Sequence, residues 1–224
     1  MNIIAVKKAI RDYIYTILNT QYPTYFKEQD YTQPNTPTKT AKNVYWASTM
    51  TYRPLDATEC ILDVISNNSF TWGIEGEIFK VEGTGTLDDK YYYEEKERRI
   101  LTVNILVTSM KNEKLGLTDL TAQNLALDAC THISNRLKSG SALNYFYYDN
   151  TIFTPIEVLT GSEDLTDVDD VSYFEDTQNR HTCQFSCKFR YNETGSREVQ
   201  LAQGAHVRFD ELGEVLDILF DPED

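Results

Sequence analysis

Residues 91–109, YYYEEKERRILTVNILVTS, contain neither glycine nor proline and read as one long β-strand. The second half alternates. Leu101, Val103, Ile105 and Val107 fall on one side and Thr102, Asn104 and Thr108 on the other, with Ile100 and Leu106 interrupting the polar side. That is the pattern of a strand half-buried on a core. The first half runs Tyr91, Tyr92, Tyr93, then Glu94, Glu95, Lys96, Glu97, Arg98 and Arg99, a charge density that no single core buries. At about 3.3 Å per residue such a strand spans roughly 60 Å, against usual strands of about 5–6 residues. It is therefore expected to run out of its own domain and seek a partner, which points to an assembly protein before an enzyme.

The chain has 224 residues, enough for one large domain with extensions, and 41% are hydrophobic, enough for a core. Fifteen are tyrosines, whose large ring and polar tip suit strands and half-wet interfaces alike. The formal net charge of −14 disfavours a grip on phosphate backbones. It does not exclude proximity to DNA, because an acidic wall lets DNA pass without adhesion. Cys60, Cys130, Cys183 and Cys187 each occupy a position that suits a small apolar residue, and no CxxC occurs. The N-terminus lacks the apolar core of a signal peptide, and no run of residues is apolar enough to cross a bilayer. A reduced, cytosolic chain with buried thiols is the expectation.

Ile3, Val6, Ile10, Tyr13, Ile14 and Ile17 predict an amphipathic helix over 3–18. Residues 22–43, with Pro23, Pro34 and Pro37 among many Thr, Gln and Asn, predict a long extended loop or arm. A short apolar patch follows at Val44, Tyr45 and Trp46. A strand is expected over 58–65, ended by Asn67-Asn68, with Cys60, Leu62 and Val64 on one face. A weaker strand over 70–81, a turn around Gly83 and Gly85, and the long strand together predict a projecting hairpin over 70–109.

The second helix is the best-marked element. Thr118 caps it and Asp119 suits its positive end. Ala122, Leu125, Ala126, Ala129, Ile133 and Leu137 form its buried stripe, and Gly140 its stop. Strands are expected near 144–148, 152–159 and 171–174. Over 180–191, Cys183, Phe185, Cys187, Phe189 and Tyr191 face the core. Residues 192–196 read as the end of the main domain, and the tail after them as a hairpin or a short helix.

Signs of chemistry are sparse. His132, His181 and His206 belong to no HExxH, and no GxSxG or GxxxxGK[ST] occurs. His181, Cys183 and Cys187 share a strand face, but neighbours on that face lie about 7 Å or more apart, a poor fit to one zinc ion. Glu163, Asp164, Asp167, Asp169 and Asp170 form a dense acidic run without the DxDxDG spacing of a calcium loop. It reads as a solvated or partner-facing loop. Gly83-Thr84-Gly85 is half a nucleotide fingerprint with no helix after it. No catalytic residue, cofactor or metal is assigned, and the chain is not read as an enzyme.

In chain order, VYWASTMTYRPLDATECILDVIS, RRILTVNILVTS, LALDACTHISNRL and DTQNRHTCQFSCKFRYN follow the element order just given. Over residues 3–192 this resembles the phage tail terminator or neck terminator proteins. The resemblance implies an α+β fold, with an antiparallel or mixed sheet and two main helices packed on it, a long projecting hairpin, and a C-terminal extension over 193–224. It also implies a structural virion protein assembled in the host cytoplasm. As a homo-oligomeric ring, typically hexameric, it would cap the tail tube protein, end tube growth and join a head connector or neck protein, with DNA passing through the lumen and no membrane contact. Tyr91, Tyr92, Tyr93, Arg98 and Arg99 are the expected interface residues, the alternative being a solvated arm. The 22–43 arm and the tail depart from the family pattern. Rival readings are another connector or completion protein, a hydrolase or metal-binding enzyme, and a monomeric small-ligand module.

Overall fold

The structure, a computed structural model, describes residues 3–26, 28–31, 39–49, 58–69, 75–81, 90–148, 156–175, 178–199, 205–209 and 214–218. The side chains described are those of 3–26, 43–48, 58–69, 97–146, 156–172 and 180–193. The fold is α+β, built on a mixed sheet. The chain divides into two compact units, one of Met1–Trp72 and Glu97–Glu193, the other of Gly73–Lys96 and Thr194–Asp224.

Helix α1 (Ile3–Gln21) buries Val6, Ile10, Tyr13 and Ile14 of the predicted stripe together with Ala9 and Leu18, while Ile3 and Ile17 are half-buried at its margin. The polar stretch after it is not all loop. Tyr22–Phe26 turns back on the helix end, and β1 (Glu28–Tyr31) pairs antiparallel with β2 (Lys39–Lys42). Residues 32–38 lie outside the described residues. Strand β3 (Val44–Trp46) pairs parallel with β4 (Glu59–Ser69), so the sheet is mixed. β4 does not stop at Asn67-Asn68. Asn67 stands opposite Leu101 and Asn68 opposite Ile100, because a bulge between Val64 and Ser66 takes up one residue and lets the ladder continue.

Strand β5 (Glu75–Val81) pairs antiparallel with the start of β6 (Lys90–Met110), from Glu75 opposite Lys96 to Val81 opposite Lys90. Residues 70–74 and 82–89 of the expected hairpin lie outside the described residues. The rest of β6 pairs with β4, from Arg99 opposite Ser69 to Thr108 opposite Glu59. After β6 the chain reverses through a short turn in which Gly116 adopts φ 69°, a left-handed conformation that side chains resist. Helix α2 (Asp119–Leu137) follows.

Two expectations fail just after α2. Gly140 does not stop that helix; it opens the short helix α3 (Gly140–Leu143), while the α2 cap is Lys138 in a right-handed conformation. Residues 144–148 form no strand. Helical winding carries on through Asn144–Tyr148 as a π-turn, which keeps Ala142 and Phe146 buried on one side. Strands β7 (Glu157–Leu159), β8 (Asp169–Asp170) and β9 (Tyr173–Glu175) each pair antiparallel with β10 (Gln178–Val199). β10 continues past the expected domain end at 192–196, although the first compact unit ends at Glu193. In the second unit β11 (Ala205–Phe209) and β12 (Glu214–Ile218) form an antiparallel hairpin.

The sheet of the first unit follows the order β3-β4-β6-β10-β7. Arg99 meets Glu193, Asn104 meets Gln184 and Thr108 meets Thr182, so β10 runs antiparallel beside β6. Cys60 and Leu62 of β4, Leu101, Val103, Ile105 and Val107 of β6, and Cys183, Phe185, Cys187, Phe189 and Tyr191 of β10 join α1 and α2 in one core. A buried aliphatic or phenyl side chain of this kind stabilises by roughly 1.5–3 kcal/mol. From α2 the small residues Ala126, Ala129 and Cys130 enter it together with Ile133 and Leu137.

Candidate assembly surface

Arg98 and Arg99 sit where β6 enters the first unit. Arg98 is exposed. Arg99 is held within its own chain, by Glu97 at 2.7 Å and Glu193 at 2.5 Å. The hydroxyl of Ser69 and the Arg99 guanidinium both donate to Glu97 and hold its carboxyl below the usual range. Tyr191, one strand over, donates its hydroxyl to Asn67 at 3.1 Å. The edge of β4, β6 and β10 is thus cross-linked by side chains at this end. The backbone of Tyr91, Tyr92 and Tyr93 lies in β6, opposite Lys80, Phe79 and Ile78 of β5. Their side chains lie outside the described residues.

The opposite end of the sheet collects buried polar groups. Asn43 donates to the carbonyls of Tyr25 at 2.6 Å and Thr58 at 2.7 Å. Thr58 faces Ser109 at 3.3 Å, Thr108 faces Thr182 at 3.0 Å, and the Tyr45 hydroxyl bonds to the buried Glu59. His181, 3% exposed, places Nε2 3.0 Å from Asp119 Oδ1 in the first turn of α2. The sequence places His181 at the start of a strand, on the face of Cys183 and Cys187. Its partner is the first turn of α2, and nothing in its local sequence announces that. Asn43 and Glu59 were likewise missed, because their partners lie at unrelated positions along the chain.

Of the groups weighed for metal chemistry, His181, Asp164 and Asp170 are held by other contacts. Among the described residues no set of three His, Cys, Asp or Glu converges on one point. All four cysteines are buried and unbridged. Burial, reinforced by the Asp170 charge, pushes the Cys183 thiol up to about 11, and burial raises Cys60, Cys130 and Cys187 as well. Such thiols are poor nucleophiles. In the acidic run, Asp164 pairs with Lys188 at 2.9 Å. Asp170 accepts from the hydroxyl and backbone N–H of Ser172, which lower its pKa. Glu163, Asp167 and Asp169 point to solvent. Beyond them, Arg190 of β10 pairs with Glu157 of β7, the strand at the end of the sheet path.

Two exposed faces stand apart from these networks. On α2, Leu120 and Leu127 are 66% and 44% exposed. On α1, Ile4 is 73% exposed, with Lys8 one turn further on. No described helix is long and apolar enough to cross a membrane.

A scan against protein-family models gives no match, and no curated protein matches the chain.

Proposed function

We propose that the protein is a structural virion component that forms a homo-oligomeric ring, caps the end of a phage tail tube, ends its polymerisation and joins the tail to the head connector. The observation that carries this reading is the division of labour along β6. Residues 101–107 contribute four fully buried side chains to the core of the first unit, while Lys90–Lys96, the Tyr-rich end of the same strand, pairs with β5 in the second unit. A strand that long serves more than one hydrophobic core. Strand addition between subunits is a common use of such a ribbon. The resemblance in element order supports the same reading, and an acidic subunit suits a lumen through which DNA slides. In this reading the mechanism is geometric: the ring presents a surface matched to the tube end, and its docking blocks further addition.

The test is native mass measurement with and without purified tail tubes, joined to electron microscopy of particles lacking the protein. Rings that bind tube ends, and tubes of uncontrolled length or tails detached from heads in its absence, are expected. A chain that stays monomeric and ignores tubes would refute the proposal. Replacing Tyr91, Tyr92 and Tyr93 by Ser, and Arg98 by Glu, tests the ribbon separately; unchanged rings would remove it from the interface.

A further inference from the structure

Six large hydrophobic side chains are exposed among the described residues, and two of them, Leu120 and Leu127, belong to the first half of α2. Leu120 and Leu127, seven residues apart, lie on one helical face with Asn124 between them. Gln123, on the same helix, gives a hydrogen bond to the carboxylate of Asp170 in β8. The patch is flanked by carboxylates: Asp128 on one side of the Leu120–Leu127 line and Asp170, reached through Gln123, on the other, both exposed. An apolar strip between anions fits an aliphatic strip that carries cations.

The same chain supplies that complement. On α1, Ile4, Lys8 and Arg11 repeat the spacing of Leu120, Asn124 and Leu127. The first carboxylate of the sequence is Asp12, which bonds Arg11 at 2.9 Å, so residues 1–11 carry three cations and no anion. The long stems of Lys8 and Arg11 can cover apolar surface while their charged heads reach the flanking carboxylates.

The two strips of one molecule cannot meet. α1 and α2 lie side by side and antiparallel, since Tyr13 donates to the Arg136 carbonyl at 3.2 Å and Tyr22 packs on His132 at 6.0 Å. Ile4 lies nine residues beyond Tyr13 in one direction and Leu120 sixteen beyond Arg136 in the other, which at about 1.5 Å per residue separates them by roughly 40 Å along the helix axes. We propose that the Ile4–Lys8–Arg11 strip of one copy docks on the Leu120–Leu127 strip of the next, between Asp128 and Asp170. The contact is head-to-tail, the kind that closes into a ring or grows into a filament. The inference rests on the ring reading above and names its subunit contact.

Two variants test it by sedimentation velocity, with far-UV circular dichroism to verify folding. One carries Ile4→Glu and Lys8→Glu; the other carries Leu120→Lys and Leu127→Lys. Each alone is expected to stay monomeric where the wild type assembles. Mixed one to one, they should form a heterodimer and nothing larger, because one intact interface remains. As a milder pair, Lys8→Glu is expected to raise the half-assembly concentration about tenfold or more, and Asp128→Lys added to it should bring assembly back. Variants that assemble like the wild type would overturn this contact and leave the ring reading standing. A mixture that remains monomeric, or no recovery by Asp128→Lys, would overturn the pairing. A wild type that is monomeric with and without tail tubes would overturn both.

Discussion

His181 Nε2 lies 3.0 Å from Asp119 Oδ1, joining the start of β10 to the first turn of α2. The imidazole is almost wholly enclosed, while the carboxylate is half exposed. Removing the acid leaves a buried ring nitrogen to find another partner. Asp119→Ala is therefore expected to destabilise the fold by about 1–3 kcal/mol, read by urea denaturation. In a double-mutant cycle with His181→Ala the two losses should not add; additive losses would mean that the pair does not act as a unit.

The cap one residue earlier makes a separable prediction. Thr118 accepts the backbone N–H of Thr121, and the Thr121 hydroxyl accepts the backbone N–H of Thr118. Thr118→Ala should cost roughly 0.5–2 kcal/mol in thermal or chemical unfolding, and Thr118→Ser close to nothing.

The two faces of the sheet should differ sharply under truncation. Phe189 is fully buried and meets Phe146 edge-on at 6.1 Å. Phe189→Ala is expected to cost about 3–5 kcal/mol. Leu106 is only half-buried on the other face. Leu106→Ala should cost well under half as much as Phe189→Ala, and equal losses would place a second core on that face.

The thiols predict an alkaline limit to stability. Unfolded cysteines ionise near the ordinary value of 9.0, while Cys183 in the fold holds its proton to about 11. Between those values the unfolded chain binds fewer protons than the native one. Stability is then complete below about pH 9 and falls as pH rises toward 11, by up to about 1.4 kcal/mol per pH unit for this group. The other three raised thiols act in the same direction. Cys183→Ala should flatten the slope of the unfolding free energy over that window. Native protein at pH 8 should also react slowly with a thiol-specific dye and release four equivalents of colour on denaturation.

Periodicity carried much of the fold into the sequence. The buried stripes of α1 and α2, the alternation of Leu101–Val107 and the inward set Cys183–Tyr191 report local geometry, since a helix repeats every 3.6 residues and a strand every two. The Thr118 cap was equally readable, because cap and capped N–H lie within one turn. Local signals misled where a neighbour supplied what the residue type lacked. The Asn67-Asn68 pair stays in β4 because β6 offers it a full ladder, and 144–148 stays helical because Phe146 is held against Tyr13 and Phe189. The surface candidates divide in the same way. Exposed charge at Arg98 was legible, but the capture of Arg99 by Glu193 was not, since the two are adjacent only once β10 lies beside β6. By itself, then, the sequence determined which faces are apolar, which helix is capped, and that β6 outruns one core. The tertiary structure alone decided strand order, the parallel β3 edge, and the distant pairs such as Asn43 with Thr58 and His181 with Asp119. The physical reason is range: patterning is written by backbone geometry over a few residues, whereas partners across the sheet are chosen by which surfaces exclude water together.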